Sequence, residues 1–433
     1  MNRTMLLVLS TAILATGGCA REAQAPPLKP GAVGHIVIGP YVQPADGPLD
    51  EKLRVVWWTD EPGPAQLQYR AKGAKGFGTS LADDKLLEGL HRHVAAVSDT
   101  DNVGSIDVMA EVTVGSERYS SSIIRLNFPG SDEGKAFRFA ALGDTGAGTA
   151  AEKKIVQQLM GRNPELLVIT GDVVYDSGEF TEYKKRFFPY YGDLMETVPI
   201  LPVMGNHDTG NPANMGRPFC EVWTPPANMA TLAGHNPPYT VLKRRANNGA
   251  GPVSDDQQAI RNFSTDARDC HFVGLDSTAD HDTIRDFIVP WLKDDLAKAK
   301  KNGAKWIIAF WHHPPYTHGG YRDNSLQWGD IRELILPVIR KAGVQLVLNG
   351  HDHGYQHMKK DGIDYIVTGG GGAKLYPIVK DYTANGQPPL LASEDKLHSF
   401  TLFDESKDGQ KMTVRQIDEN GRQLDAFSLS LSR

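Results

Sequence analysis

The sequence has few cysteines, no long apolar run in its interior and no excess of positive charge. Only three of its 433 residues are cysteine, so one intrachain disulfide is the most that can form. No segment after the N-terminus contains about twenty consecutive apolar residues, so no membrane-spanning helix is predicted in the mature chain. The formal net charge of -6 argues against a surface that coats nucleic acid, because such surfaces cluster lysine and arginine.

The N-terminus has the composition of an export signal. An apolar run from Met5 to Ala15 follows a basic residue and precedes small residues and Cys19. The run is too short for a stable membrane anchor. Residues 16–19 resemble a bacterial lipobox, in which the cysteine is acylated, so one interpretation is a lipoprotein anchored through Cys19. The other is ordinary cleavage a few residues later, within 1–25, which would release a soluble periplasmic or secreted protein.

Cys220 and Cys270 remain after removal of the signal. Two thiols in an oxidising compartment could form a single disulfide. The sequence does not show whether the Cα atoms of these residues come close enough for that bond. Two buried cysteines without a disulfide therefore remain the alternative.

The pattern of apolar residues divides the rest of the chain into two regions. Residues 26–34 are rich in proline and lack apolar periodicity, which indicates a linker. Over 35–128 apolar residues alternate in short stretches between turns, which predicts a small antiparallel β-sandwich. From 136 to 433 short apolar runs alternate with helical patterns, and antiparallel strands follow near the end. This second region is predicted to be an α/β domain with strands buried on both faces.

Potential metal ligands come just past the ends of the predicted strands of the second region. The carboxyl ends of strands in α/β sheets converge on one edge, so we expect these residues to be neighbours in space. They are Asp144, Asp172, Asn206, His207, His312, His351 and His353. Carboxylate, imidazole, amide and phenolate ligands suit iron, zinc or manganese better than copper(I) or calcium. Their number suffices for two ions, which together can hold the attacking and leaving oxygens of a displacement at phosphorus.

Five short motifs in this order resemble those of the purple acid phosphatase branch of the calcineurin-like metallophosphoesterases. They are Gly143-Asp144-Thr145-Gly146, Gly171-Asp172-Val173-Val174-Tyr175, Gly205-Asn206-His207-Asp208, His312-His313-Pro314 and Gly350-His351-Asp352-His353. The resemblance covers about half of the chain. It implies an α/β (α+β) metallophosphoesterase sandwich with two sheets flanked by helices. Larger members of the branch carry a fibronectin-like β-sandwich before the catalytic domain, which agrees with the pattern over 35–128.

The resemblance implies a role for each ligand. Asp172 would bridge two metal ions. The first ion would also bind Asp144, Tyr175 and His353, and the second would bind Asn206, His312 and His351. Most of the superfamily has a histidine where this chain has Gly146, and the purple branch uses a tyrosine at the position of Tyr175 instead. A phenolate favours a trivalent ion, so we expect iron(III) in the first site and zinc, manganese or iron(II) in the second.

Two further histidines are candidates for catalysis. The resemblance implies that His207 approaches the phosphate, where it can stabilise the transition state or assist proton transfer. The family also places one or two histidines after the fourth motif. His318 is the nearby candidate for protonating the leaving group, although it comes sooner than the family spacing.

The predicted protein is an exported phosphatase that hydrolyses phosphomonoesters of small molecules by attack of a metal-bound hydroxide. Two alternatives remain open. One is a phosphodiesterase of the same fold, because the motifs bind one phosphoryl group and say little about its substituents. The other is a surface binding protein that keeps the metal centre without turnover. Loops such as 209–265 are expected to overhang the site and determine the substrate.

Overall fold

The computed structural model describes residues 34–431 apart from 72–73, 100–103, 133, 212, 230–238 and 243–249. The predicted signal peptide, Cys19 and nearly all of the linker 26–34 lie outside the described residues. Among the described helices, none has the length and apolar character needed to cross a membrane.

The N-terminal region is built from antiparallel strands. Its two sheets have the orders β1-β2-β6-β5 and β4-β3-β7-β8, and β9 pairs with β7. The strands are β1 (Ile36–Pro44), β2 (Lys52–Thr59), β3 (Ala65–Ala71), β4 (Gly78–Leu81), β5 (Asp83–Leu87), β6 (Leu90–Ser98), β7 (Ser105–Val114), β8 (Glu117–Ser120) and β9 (Ile124–Asn127). A β-rich N-terminal region was predicted from the alternation of apolar residues. Its fibronectin-like character and the domain boundaries given above stay predictions.

Strand β2 is buried on both of its faces. Its alternate residues Val55 and Trp57 lie in the core between the sheets. On the opposite face, the ring of Trp58 lies 5.1 Å from the ring of Phe180, which belongs to the second region. Gln43 of β1 donates a hydrogen bond of 2.8 Å from Nε2 to a backbone carbonyl of the second region. The two regions therefore pack together as one body with a continuous apolar interior.

The second region contains two stacked sheets. Their orders are β12-β11-β10-β22-β23-β24 and β15-β16-β17-β18-β20-β19-β21. The strands are β10 (Phe137–Leu142), β11 (Leu166–Ile169), β12 (Ile200–Pro202), β15 (Phe263–Ala267), β16 (Cys270–Gly274), β17 (Trp306–Phe310), β18 (Leu346–Asn349), β19 (Tyr355–Lys360), β20 (Ile363–Thr368), β21 (Leu390–Glu394), β22 (Ser399–Glu405), β23 (Lys411–Asp418) and β24 (Gln423–Ser430); β13 (Thr240–Leu242) and β14 (Ala250–Pro252) form a separate hairpin. Strands β10, β11 and β12 of the first sheet are parallel, as are β16, β17, β18 and β20 of the second.

Helices cover the outer faces of both sheets. They are α1 (Ala150–Arg162), α2 (Phe180–Glu182), α3 (Phe188–Met195), α4 (Arg217–Val222), α5 (Asp255–Gln258), α6 (His281–Thr283), α7 (Val289–Lys301), α8 (Ser325–Asp330) and α9 (Leu336–Ala342), with π-helical turns at Tyr183–Phe187, Ile284–Ile288 and Ile331–Ile335 and a 3-10 turn at Ala384–Gly386. Ile155 and Leu159 of α1 pack in the core of the first sheet, and Leu292 and Leu296 of α7 pack in that of the second. The predicted fold class, a sandwich of two sheets flanked by helices, is confirmed.

Cys220 and Cys270 are both reduced thiols. Cys220 lies on α4 and packs against the outer core of the first sheet, whereas Cys270 begins β16 and is buried between the two sheets. The two thiols therefore belong to different layers of the fold. The disulfide considered from the sequence is not formed. Cys270 is buried, as the alternative expects, whereas Cys220 is only partly buried.

His271 of β16 is held between two aspartates. Its Nδ1 lies 2.7 Å from Asp266 Oδ1, and its Nε2 lies 3.0 Å from Asp295 Oδ2. Burial alone would lower the pKa of His271, but the two carboxylates outweigh burial and raise that pKa to about 9. The charged ring is therefore the stabilised form. This contribution to stability is complete below the unfolded pKa of 6.5 and is lost as the pH rises to about 9.

We expect His271→Gln to remove this contribution. The wild type should be more stable than the variant near pH 6, because the pKa shift stabilises the fold only while the histidine is charged. This difference in the free energy of unfolding should be roughly 2–3 kcal/mol smaller near pH 9. Urea denaturation of both proteins at the two pH values measures the difference. A difference of the same size at both pH values would contradict a charged His271.

Candidate metal centre

The expected ligands lie where parallel strands end, in strained backbone. Asp144 follows β10, Asp172 follows β11 and His351 follows β18. Their φ angles are 60°, 49° and 69°, in the left-handed region. A non-glycine residue adopts this conformation at a cost of roughly 1–3 kcal/mol, and such strain concentrates at functional sites. The strand ends belong to two facing sheets rather than to one.

The first expected set of donors is compact. Tyr175 Oη lies 3.0 Å from Asp144 Oδ1, 3.1 Å from Asp172 Oδ2 and 3.1 Å from His353 Nε2. His353 Nε2 is also 3.2 Å from Asp144 Oδ1. Neighbouring ligand atoms about 2.1 Å from an octahedral ion are about 3 Å apart, so this spacing fits a shared cation.

The second expected set adjoins the first. His312 Nε2 lies 3.1 Å from Asn206 Oδ1, 3.1 Å from His351 Nδ1 and 3.3 Å from Asp172 Oδ2. The same Asp172 oxygen contacts the first set through Tyr175. A carboxylate in this position could bridge two ions.

One residue near the second set was not expected from the sequence. Among the described residues, two triads have ligand atoms within 4.8 Å of one another. One triad is Asp144, Asp172 and His312, and the other is His312, His313 and His351. His313 is buried, and its Nδ1 lies 2.9 Å from Ser277 Oγ. A third imidazole thus adjoins the two expected histidines.

The charges of these groups shift one another's pKa values. Burial would raise the pKa of Asp172, but His312 and His207 outweigh burial and hold that pKa well below its usual value. Burial would lower the pKa of His312, but Asp172 raises it to about 9. Burial raises the pKa of Tyr175, and Asp144 and Asp172 raise it further. Strongly perturbed, mutually coupled groups of this kind mark functional sites.

Both donor sets fit a hard or borderline cation. The oxygen donors of Asp144, Asp172, Tyr175 and Asn206 follow strands of the first sheet, and the imidazoles follow strands of the second. The mixture of carboxylate, phenol, amide and imidazole suits iron, zinc or manganese. The buried Asp144 and Asp172 place two carboxylates together, and a cation would compensate that charge.

Gly146 leaves no room for a side chain. Its φ is 57°, and a Cβ atom at this position would lie 2.2 Å from Val173 O and 2.7 Å from Val174 Cα. A histidine here would have to displace the segment that leads to Tyr175. The substitution of tyrosine for histidine, inferred from the motifs, therefore has a steric basis in this chain.

Glu152 holds the first motif in place, although it is not among the site residues predicted from the sequence. It accepts hydrogen bonds from Gly146 N and Gly148 N at 2.5 and 2.8 Å, and burial raises its pKa to about 7. It stands three residues after Thr149, which caps α1. The spacing Thr-x-x-Glu is that of a capping box, so this pattern could have located it.

Asp208 supports the second and third motifs. Its carboxylate accepts hydrogen bonds from Val173 N at 3.0 Å and from Gly205 N at 2.8 Å. Burial and the charge of Asp172 raise its pKa to about 8. Asp208 therefore ties the segment after β11 to the segment after β12.

His207 lies beside the donor sets. Its backbone N–H donates to Asp172 Oδ1 at 2.7 Å, and its Nδ1 lies 2.8 Å from Asp176 O. Its ring lies 4.2 Å from the ring of Tyr175. The Asp176 carbonyl can accept a hydrogen bond from Nδ1, and the opposite nitrogen, Nε2, lies 4.0 Å from Asp172 Oδ2.

The structure does not bring His318 into this cluster. The side chain is fully buried, with Nδ1 3.2 Å from Val379 O and Nε2 2.8 Å from Pro388 O. Both ring nitrogens face backbone carbonyls at hydrogen-bonding distance, so neither is directed at the donor sets.

Comparisons with known proteins agree with this geometry. Residues 137–355 match the family model described as calcineurin-like phosphoesterase, which is half of the chain. The chain is 26% identical to purple acid phosphatase 17 of Arabidopsis thaliana over 55% of this chain and 69% of that protein. It is 25% identical to purple acid phosphatase 15 of the same plant over 67% of this chain and 56% of that protein.

A solved structure shares the fold. It is a purple acid phosphatase from yellow lupin (Lupinus luteus) seeds, with a TM-score of 0.73 and 15% identity, over 90% of this chain and 74% of that one. The resemblance to purple acid phosphatases stated from the motifs is therefore confirmed. This chain belongs to the calcineurin-like phosphoesterase family, as a metal-dependent phosphoester hydrolase similar to the purple acid phosphatases.

Proposed function

We propose that this protein hydrolyses phosphomonoesters at a dinuclear metal centre. The observation that carries the proposal is the position of Asp172. One of its oxygens lies 3.1 Å from Tyr175 Oη and 3.3 Å from His312 Nε2, so a single carboxylate is shared between two donor sets. The similarity to purple acid phosphatases supports the choice of a phosphate ester as substrate.

Two bound cations would supply a nucleophile by lowering the pKa of water and would neutralise charge that develops at phosphorus. The side chains around them orient the substrate. His207 is fixed through its backbone N–H on Asp172 and its Nδ1 on Asp176 O, which leaves Nε2 directed toward the cluster. When both ring nitrogens carry a proton, Nδ1 donates to Asp176 O and Nε2 can donate a hydrogen bond to a phosphoryl oxygen. That bond strengthens as negative charge builds in the transition state.

The proposal is tested by comparing two aryl esters. The purified, metal-loaded protein should turn over an aryl phosphomonoester with a higher kcat/KM than the matching diester. Faster turnover of the diester would make the protein a phosphodiesterase. Failure to turn over either ester at full metal content would instead support a binding protein.

The proposal assigns iron(III) to the set that contains Tyr175 and zinc, manganese or iron(II) to the other. A phenolate bound to iron(III) gives a visible charge-transfer band, so we expect Tyr175→Phe to abolish the band of the loaded protein. Visible spectroscopy with elemental analysis measures this. Tyr382→Phe is the matched control, because its hydroxyl contacts Asp323 and not the donor sets. A colourless, iron-free protein that is active would refute the iron assignment.

Export is also part of the proposal and is supported by the apolar run from Met5 to Ala15. The mass of the mature protein distinguishes an acylated N-terminus at Cys19 from simple cleavage downstream. A mature protein that keeps the whole of 1–25 would refute export through this segment.

A further inference from the structure

Two tyrosines cover the histidines of the fifth motif. The ring of Tyr321 lies 3.9 Å from that of His351, and the ring of Tyr376 stacks on His353 at 4.1 Å with an interplanar angle of 13°. The tyrosine rings are 6.1 Å apart and inclined by 67°. Both tyrosines are partly exposed, whereas both histidines are buried. The tyrosine pair therefore forms a partly exposed wall of the metal centre.

The tyrosine pair lies at the edge of the expected donor sets. The ring centroid of each tyrosine is in ring contact, at 3.9 Å for Tyr321 and 4.1 Å for Tyr376, with that of a histidine expected to bind metal. Each tyrosine carries a phenolic hydroxyl that can donate a hydrogen bond. The pair therefore brings two hydrogen-bond donors and two partly exposed rings to the edge of the site where the phosphoryl group would bind.

The segments that carry the tyrosines are fixed to the fifth motif. Tyr321 N donates to Asp352 Oδ1 at 3.3 Å, and Thr317 Oγ1 donates to the same carboxylate. Tyr376 N donates to His353 O at 2.9 Å. Asp352, the residue between the two histidine ligands, thus positions Tyr321, and the backbone of a ligand positions Tyr376.

His318 connects the two segments. Its carbonyl accepts a hydrogen bond from Val379 N at 2.9 Å, and its Nδ1 lies 3.2 Å from Val379 O. Val379 comes three residues after Tyr376, and His318 comes three residues before Tyr321. His318 therefore links the segment that carries Tyr321 to the segment that carries Tyr376.

We propose that Tyr321 and Tyr376 bind the leaving-group side of the phosphoester. Their hydroxyls donate to the ester oxygen, and their exposed ring surfaces contact a flat aromatic leaving group. This inference rests on the proposed function. A donor at the ester oxygen stabilises the charge that collects there as the bond to phosphorus breaks. Aromatic rings favour planar partners in stacked or edge-to-face contact, so the preferred substrates are aryl phosphomonoesters.

The test uses the metal-loaded protein with three variants and a control. Tyr321→Phe and Tyr376→Phe remove a hydroxyl and keep the ring, whereas Tyr321→Ala removes the ring. Tyr382→Phe is the control. The measurements are kcat/KM for aryl phosphates whose leaving groups differ in pKa, KM for an aryl against an alkyl phosphate, Kd for inorganic phosphate, and metal content.

We expect Tyr321→Phe and Tyr376→Phe to lower kcat/KM about 10-fold for leaving groups of high pKa and much less for those of low pKa. The reason is that a poor leaving group depends most on the lost hydrogen bond. Tyr321→Ala should reduce the preference for aryl over alkyl esters by a factor of about 3–10, as measured by KM. Metal content and the properties of Tyr382→Phe should stay unchanged.

Unchanged leaving-group dependence in both Phe variants, at equal metal content, would overturn the inference. Phosphate binding separates this failure from a failure of the proposed function, because the fourth oxygen of inorganic phosphate takes the place of the ester oxygen. If the wild type hydrolyses no phosphoester but both Phe variants bind phosphate more weakly, the function is wrong and the tyrosine site stands. Unchanged phosphate binding in that case would refute the tyrosine site as well.

Discussion

Replacing Asp172 by asparagine is expected to lower kcat/KM for a phosphomonoester by at least about 10³-fold. The asparagine amide offers one neutral oxygen donor where the carboxylate offers two charged ones. The Asp172 oxygen that lies 3.1 Å from Tyr175 Oη and 3.3 Å from His312 Nε2 would become a neutral amide oxygen, which holds two cations far more weakly than a carboxylate. The number of metal ions bound per chain should fall in parallel, which elemental analysis after gel filtration measures.

The control for this variant is Asp282→Asn. Asp282 is an exposed aspartate that pairs with Arg285 at the surface, so removal of its charge should leave activity and metal content unchanged. If Asp172→Asn kept the wild-type rate, the assignment of the whole centre would be dismissed. Loss of activity in both variants would point to general damage to the fold instead.

Replacing Arg261 by alanine should lower the free energy of unfolding by about 3–5 kcal/mol. Arg261 Nη1 lies 2.9 Å from Asp276 Oδ2, and neither side chain is exposed. The other terminal nitrogen of Arg261 donates to Met215 O at 2.5 Å. Alanine would leave the Asp276 carboxylate buried without its cation, and the penalty for that charge is the source of the loss. Urea denaturation measures it.

Two comparisons test this explanation. Arg285→Ala removes an exposed arginine that pairs with Asp286, and it should change stability little because solvent screens that pair. Arg261→Met combined with Asp276→Leu should recover part of the loss, since neither charge is then left unpaired. A double variant that is no more stable than Arg261→Ala would show that packing, and not the unpaired carboxylate, causes the loss.

The strand ends could be predicted because a buried parallel strand is a short apolar run with a visible end. β10, β11 and β17 are fully or almost fully buried, and the first polar residues beyond them include Asp144, Asp172 and His312. This local pattern was sufficient to predict that these residues lie close together, whereas their division into two donor sets came from the resemblance to the purple acid phosphatases. It could not show that the strands divide between two sheets, because strand pairing depends on contacts distant in sequence.

The tyrosine pair could not be predicted for the same reason. Tyr321 and Tyr376 lie on irregular segments without periodicity, and their positions depend on bonds to Asp352 and His353. His318 is the opposite case, because it was predicted to take part in catalysis and its ring is turned away from the donor sets. It was selected because it follows the fourth motif closely, but its ring nitrogens bind Val379 and Pro388 carbonyls. Spacing along the chain indicates which histidines are near the site, not which way a ring is turned.

The expected metal ligands are divided between the two sheets, so metal binding would depend on whether the sheets have docked. Oxygen donors such as Asp172 and Tyr175 follow strands of one sheet, and nitrogen donors such as His312 and His353 follow strands of the other. In the proposed centre, a chain whose sheets had formed but had not docked would present only part of the donor set for either ion. Tight binding at that centre would therefore require the fully packed protein. The metal content of a purified sample would then report correct docking of the two sheets as well as metal supply.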